Sequence, residues 1–266
     1  MKKILVLFNG INAPWHITTF ALHIAKENNS ELHVLFLKDE ASIYPYPSDI
    51  TSVQKDYSPK QEKADNTELE EKNIELFTNF CKNENVACSF EKNVSLKKLI
   101  DFSHDADIVI TDSHDDFQKY ALKDILAQSK CPVCLVSANA TQIGTNVLLY
   151  DGTDDAAHAI ETYCNLFPMF CNEKSFIVTI NEGKANKPLS KAILQKFTNV
   201  KSMLLSGNIE QKLIEFLDEH PGNAMVVMGA YGRSAISRLF KPSLSNVIIN
   251  QTRTSLFIAH NYNNSL

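Results

Sequence analysis

Short apolar runs, each stopped by an amide, an acid or a glycine, alternate along this chain with stretches of helical length. The first run, Lys3-Ile4-Leu5-Val6-Leu7-Phe8, stops at Asn9-Gly10 and is followed by a helical pattern from His16 to Lys26. A second run, Glu31 to Leu37, comes next, and a later one, Asp107 to Thr111, precedes a closing strand from Val133 to Val136. These runs are apolar at successive positions and do not alternate with polar residues. Such strands are buried on both faces, as in parallel sheets covered by helices above and below. The alternation of strand and helix predicts an α/β fold.

The same order is then written a second time. Asn146-Val147-Leu148-Leu149-Tyr150 stops at Asp151-Gly152, a helical pattern follows from Asp155 to Leu166, and a second strand runs from Ser175 to Ile180. Met225 to Met228 parallels Asp107 to Thr111, and Leu256 to Ala259 parallels Val133 to Val136. We therefore expect two domains, 1–140 and 144–266, with Ser137 to Thr145 as a small, polar linker. The first half also carries an insertion from Lys38 to Asn73, rich in Pro, Tyr and Ser, which runs into a charged helix. Its charge run, Lys60 to Lys72, reads as a solvated helical face or a mobile cover.

Composition narrows the classes. The chain has 266 residues, 44% hydrophobic and 21% charged, with a formal net charge of -5. That acidity opposes general affinity for nucleic acid or a membrane surface, so any anion site must be local. The apolar start is too short for a signal peptide and no segment could span a bilayer, which leads us to expect a cytoplasmic protein. The six cysteines read as buried free thiols. Cys131-Pro132-Val133-Cys134 has redox-motif spacing, but residues three apart on a strand point to opposite faces, so a local disulfide is not expected.

The candidate chemistry lies where the second half's later strand ends. The run Ala224 to Met228 stops at Gly229, Gly232 follows, and nine residues separate Gly232 from Pro242-Ser243. Bare backbone amides beside a helix start can cradle an anion. From His220 to the last residue there is no Asp or Glu, whereas Arg233, Arg238, Lys241 and Arg253 are basic. The first half inverts this pattern, with Asp112 and Asp115 where the second half has glycines, and Asn9 where it has Asp151. Two like charges about 4 Å apart repel by roughly 1 kcal/mol in water and about 4 kcal/mol at an effective dielectric of 20, so a triphosphate would be expelled there.

With these residues on the page, the chain resembles a tandem universal stress protein. The likeness rests on the strand-terminal Asp151, the duplication, and the motif of Gly229, Gly232 and Ser243, with Pro242 standing where the family has a third glycine. The resemblance implies two doubly wound domains of the adenine nucleotide alpha-hydrolase-like type, each with a five-stranded parallel sheet of order 3-2-1-4-5. It also implies a ligand crevice where strands 1 and 4 diverge. In the implied pose ATP or another adenine nucleotide sets its adenine near Asp151, Gly152 and Ile180, with phosphates over Gly229, Gly232, Arg233 and Ser243. Pro242 has no N–H, which removes any phosphate contact through that amide.

Each residue also has a plainer reading. Asp151 can order the turn before a helix, Gly229 and Gly232 can serve a turn of positive φ, Ser243 can start a helix, and Ile180 can be core. A metal site built from Asp112, His114, Asp115 and Asp116, with His104, is a rival for the first half. Three functions follow. The first is a stress-response or regulatory protein that binds nucleotide in its second half, the second a ligand-free interaction module, and the third a slow ATPase. No general base and no Walker-type loop is evident, so no catalytic residue is assigned. An internal pseudo-dimer through the last strand of each half is expected, and a homodimer through leftover edges is a further expectation.

Overall fold

The computed structural model describes residues 1–9, 13–37, 59–113, 125–138, 140, 143–180, 188–205, 209–219, 223–229 and 254–261. In the first half, strand β1 (Lys3–Asn9) leads into α1 (Trp15–Asn28), β2 (Glu31–Leu37), α2 (Pro59–Asn83), β3 (Cys88–Val94), α3 (Leu96–Ser103), β4 (Ile108–Asp112) and β5 (Val133–Val136). The second half supplies β6 (Thr145–Tyr150), α4 (Asp154–Leu166), a 3-10 turn (Pro168–Asn172), β7 (Lys174–Ile180), α5 (Lys191–Leu194), β8 (Asn199–Leu205), α6 (Ile209–Asp218), β9 (Ala224–Gly229) and β10 (Ser255–Ala259).

All ten strands form one sheet, in the order β3-β2-β1-β4-β5-β10-β9-β6-β7-β8. Each half has the order 3-2-1-4-5 with parallel pairing throughout. The expectation of two separate five-stranded sheets is corrected at the middle. There β5 and β10 pair antiparallel, Leu135 opposite Leu256 and Val133 opposite Ile258, so the last strand of each half completes the other's edge. The linker is also shorter than expected, since Thr145 already belongs to β6 and both Ala140 and Ile143 are buried. An unpaired central edge would leave backbone donors and acceptors without partners, and this joint removes it.

The runs that are apolar at every position explain the layers. Along β1, Ile4, Val6 and Phe8 enter one core cluster while Leu5 and Leu7 enter the other, on the opposite face. On the first face α1, α2 and α4 cover the sheet, and their buried residues form one cluster that crosses from half to half. Its centre is aromatic. Phe257 of β10 lies 5.4 Å from Tyr163 and 5.8 Å from Phe167, and Phe20 of α1 reaches across to Phe167 (6.3 Å) and Phe170 (6.2 Å). On the other face α3 and α6 contribute Leu99, Leu213, Phe216 and Leu217.

One buried polar node serves this core. The Asn146 amide donates to the Phe170 carbonyl at 2.7 Å and to Ser175 Oγ at 2.9 Å, while the Tyr163 hydroxyl donates to Asn146 Oδ1 at 2.6 Å. These bonds satisfy a wholly buried amide and tie α4, the 3-10 turn and two strands together. Cys134 lies on the same face as Tyr163 and Cys131 on the other, so these two thiols point apart as expected of a strand. All six cysteines are free.

The edges are protected. Between Leu35↔Glu91 and Leu37↔Val94 the β2–β3 register shifts, and Asn93 there adopts φ 55°. One extra residue on β3 makes a bulge, and asparagine tolerates its left-handed backbone. The charge run that opens α2 is in helix, and its described members Glu68, Glu71 and Lys72 are exposed, with Glu68 and Lys72 paired at 2.8 Å. No described helix is long and apolar enough to cross a membrane.

Candidate functional site

The crevice begins where two neighbouring parallel strands separate. Pairing between β6 and β9 runs from Thr145↔Ala224 to Leu148↔Val227, and both strands continue two residues beyond it. This is the point where strand order reverses within the half, the usual ligand position in an open α/β sheet. Asp151 follows β6, Gly229 ends β9, and α4 starts between them.

Asp151 and Thr153 build the entry to α4. Asp151 Oδ1 accepts from the Thr153 backbone N–H at 3.1 Å and from its hydroxyl at 2.6 Å. The same hydroxyl oxygen accepts from the Ala156 N–H at 3.2 Å, capping the helix. Gly152 sits between them at φ 82°, a conformation that a side chain would strain. Asp154 and Asp155 in the first turn complement the positive end of the helix dipole. The turn-ordering reading of Asp151 is thus realised in full through one oxygen. Oδ2 has no hydrogen-bond partner among the described residues.

The plainer reading of Gly229, a turn of positive φ, is not what the structure shows. A Cβ at this position would lie 3.0 Å from the Asp155 carbonyl oxygen, 3.1 Å from its carbon and 3.2 Å from the Ala156 nitrogen. These are backbone atoms of a capped helix turn and cannot swing away. Gly229 therefore lets the start of α4 settle directly on the end of β9, and among the described glycines only Gly152 has positive φ.

The remaining candidates are placed less fully. Ile180 closes β7, paired with Leu205, and its side chain lies outside the described set. Gly232, Arg233 and Ser243 lie outside the described residues, as do Arg238, Lys241, Pro242 and Arg253. The structure thus brings Asp151, Gly152 and Gly229 together around the first turn of α4.

The first half arranges the same place differently. Ile4 pairs with Ile108 where Asn146 pairs with Met225, which makes Asp112 the register equivalent of Gly229. Asp112 Oδ2 lies 3.4 Å from His16 Nε2, near the start of α1, without the alignment of a hydrogen bond. Beside it, the Thr111 hydroxyl donates to the Leu7 carbonyl at 3.1 Å, stitching β4 to β1 beyond their last backbone pair. His16 was missed in the sequence; its position beside the helix start, opposite a strand-end acid, is the signal that could have found it. Among the described residues no group of three or more His, Cys, Asp or Glu could hold a metal ion, and His114, Asp115 and Asp116 lie outside that set.

No protein-family model matches the chain, and no curated protein matches it in sequence. Solved structures do. A universal stress protein from Archaeoglobus fulgidus superposes with a TM-score of 0.69 at 14% identity, covering 97% of this chain and 96% of that one. Two half-length likenesses have lower scores. A universal stress protein in complex with cAMP covers 44% of this chain and 96% of its own (TM-score 0.30, 21% identity). A universal stress protein family protein from Arabidopsis thaliana with AMP bound covers 50% and 89% (TM-score 0.32, 13% identity). The Archaeoglobus likeness spans both halves and the joint between them, and on that ground this chain has the fold of a universal stress protein over nearly its whole length.

Proposed function

We propose that this chain acts as a regulatory universal stress protein in the cytoplasm, binding an adenine nucleotide in the crevice of its second half (144–266). One observation carries the reading: Asp151 follows β6 and Gly229 ends β9 where those strands separate, each against the start of α4, and Asp151 Oδ2 has no hydrogen-bond partner among the described residues. A carboxylate there accepts from an adenine amino group or a ribose hydroxyl. The sequence beyond Gly229 adds Gly232, Arg233 and Ser243 to receive phosphate, in a stretch that holds no acid. The first half (1–140), with Asp112 and His16 at the equivalent place, serves as scaffold.

A ligand-free interaction module is the competing reading. It is favoured by the work Asp151 already does in the helix cap and by Asp154 and Asp155, which already occupy the helix end an anion would use. Calorimetric titration with ATP, ADP and AMP separates the two. Wild type should bind at least one of them, Asp151→Ala should weaken it about tenfold, the loss of one charge-assisted hydrogen bond, and Gly232→Asp should abolish it. No heat with any of the three favours the module. Phosphate release equal in wild type and Gly232→Asp removes hydrolysis from consideration, and sedimentation of the same samples tests for a homodimer.

A further inference from the structure

The carboxyl end of α4 carries chemistry that the nucleotide reading leaves unused. Cys164 lies in the last turn of the helix and Cys171 in the 3-10 turn that follows. Pro168 cannot continue a helix and disfavours helical backbone at Phe167, so the chain folds back and returns Cys171 to Cys164. Both thiols are buried, and the Cys171 Sγ–H points to the Phe167 carbonyl oxygen at 3.8 Å. With Asn165, Pro168 and Lys196 they line an open depression of about 390 Å³. Lys196 reaches over it, its Nζ held by Asn165 Oδ1 at 2.6 Å.

The environments of the cysteines differ. Burial pushes the Cys131 thiol up to about 12 and raises Cys134 further. Burial, with Cys88 beside it, also raises Cys81. The neighbouring Cys164 pulls Cys171 down against the opposing effect of burial, with Lys196 adding to the fall, while Cys171 and burial together push Cys164 up. Two neighbouring thiols lining one depression with a lysine are the arrangement of a reactive cysteine with a resolving partner.

We propose that Cys171 and Cys164 form a reversible dithiol–disulfide site that is oxidised by hydroperoxides entering this depression. The Cys171 sulfur attacks the outer peroxide oxygen. The O–O bond breaks, and the leaving oxygen takes a proton from solvent, departing as water or an alcohol. The resulting sulfenic acid is attacked by the Cys164 sulfur. An S–S bond forms, the S–O bond breaks, and hydroxide leaves with the Cys164 proton as water. Two thiols have then given up two electrons and two protons, and one peroxide has been reduced. A small dithiol reductant reverses the change. Phe167 and Phe170, between the two sulfurs in sequence, are buried in the aromatic cluster shared by both halves, so the bond would fix that turn against the joint.

The site is tested on the whole folded chain with hydrogen peroxide, followed by alkylation. Cleavage after Glu161 and Glu173 releases residues 162–173, whose only cysteines are Cys164 and Cys171. After peroxide this peptide should be two hydrogens lighter and refuse the alkylating reagent until reduced. In Cys164→Ser, dimedone should mark Cys171, and Lys196→Gln should slow the oxidation about two- to fivefold, the effect of one exposed ion pair. Full alkylation of both cysteines after peroxide, or a dimedone mark on Cys164 in Cys171→Ser at the same rate, overturns the proposal. Should a variant fail to fold, wild type alone decides: iodoacetamide must reach Cys171 faster than Cys134, and equal rates refute the site. None of these readouts depends on nucleotide.

Discussion

At the end of β4 stands Asp112, and at the register-equivalent end of β9 stands Gly229. In the first half a carboxylate reaches out to His16 near the helix start. In the second, the side chain is absent and the helix backbone itself moves in to 3.0 Å from where a Cβ would be. The same topological position is thus closed in two ways, by a side-chain pair or by direct helix-on-strand contact. The second way puts no carboxylate at the end of β9 and leaves Asp151 after β6, whereas the first places a carboxylate at the end of β4.

The comparison breaks most readily at Gly229. Gly229→Asp, which copies the first half into the second, should cost about 3 kcal/mol in chemical denaturation, because the new Cβ meets fixed backbone. The reciprocal change, Asp112→Gly, should cost under about 1 kcal/mol, the entropy of one glycine and the loss of a partly solvated contact with His16. Equal costs would show that the two strand ends are closed alike. Next is the polar node around Asn146 in the second half, where the first half has Ile4 at the equivalent position. Tyr163→Phe leaves Asn146 Oδ1 buried without its donor and should lose about 2 kcal/mol. A smaller loss, about 1 kcal/mol, is expected of Thr153→Ala, which uncaps α4 and frees Asp151 Oδ1; α1 has Pro14 with no side-chain cap and offers no counterpart.

The smallest effect is one of pH. His33 on β2 and Phe176 on β7 occupy equivalent register positions, opposite Leu5 and Val147, and each meets an aromatic edge, Phe102 at 4.9 Å and Phe216 at 5.1 Å. Burial first, and then Lys3, hold the His33 imidazole below its ordinary value of 6.5, with Glu91 and Glu31 opposing and Lys98 adding to the depression. A lowered value means that the unfolded chain binds the proton more readily. The contribution is therefore present above about pH 6.5 and lost as pH falls through the lower folded value. Amide protection, corrected for the intrinsic exchange rate at each pH, should fall in β2 and β3 below about pH 6.5 while that of β7 and β8 holds, and His33→Phe should remove the difference.

Much of this fold was legible because its inner strands are apolar on both faces. β1, β2, β4, β5, β6, β7, β9 and β10 each stand out as runs bounded by polar residues. The outermost strands did not. β3 reads CSFEKNV and β8 reads NVKSMLL, half exposed and charged at the edge, so periodicity alone does not separate them from loop. Their presence followed only from the resemblance. The joining of the last strands was expected, but its merging of two sheets into one needs the register of Leu135 with Leu256, which no local pattern encodes. At the site, Asp151 and Gly229 were found by their places after apolar runs. Their present roles were not, since a close approach of helix to strand depends on where a distant segment packs.

The antiparallel joint has one more consequence. Strands of the first half run one way along the common sheet and those of the second run the other. The crevice above Asp151 and its counterpart above Asp112 consequently open at opposite poles of the molecule, and no single small molecule bridges them. The fold-back at Cys164 and Cys171, at the far end of α4 from Asp151, belongs to the pole of Asp112. The two proposed sites thus sit at opposite tips of one helix, α4.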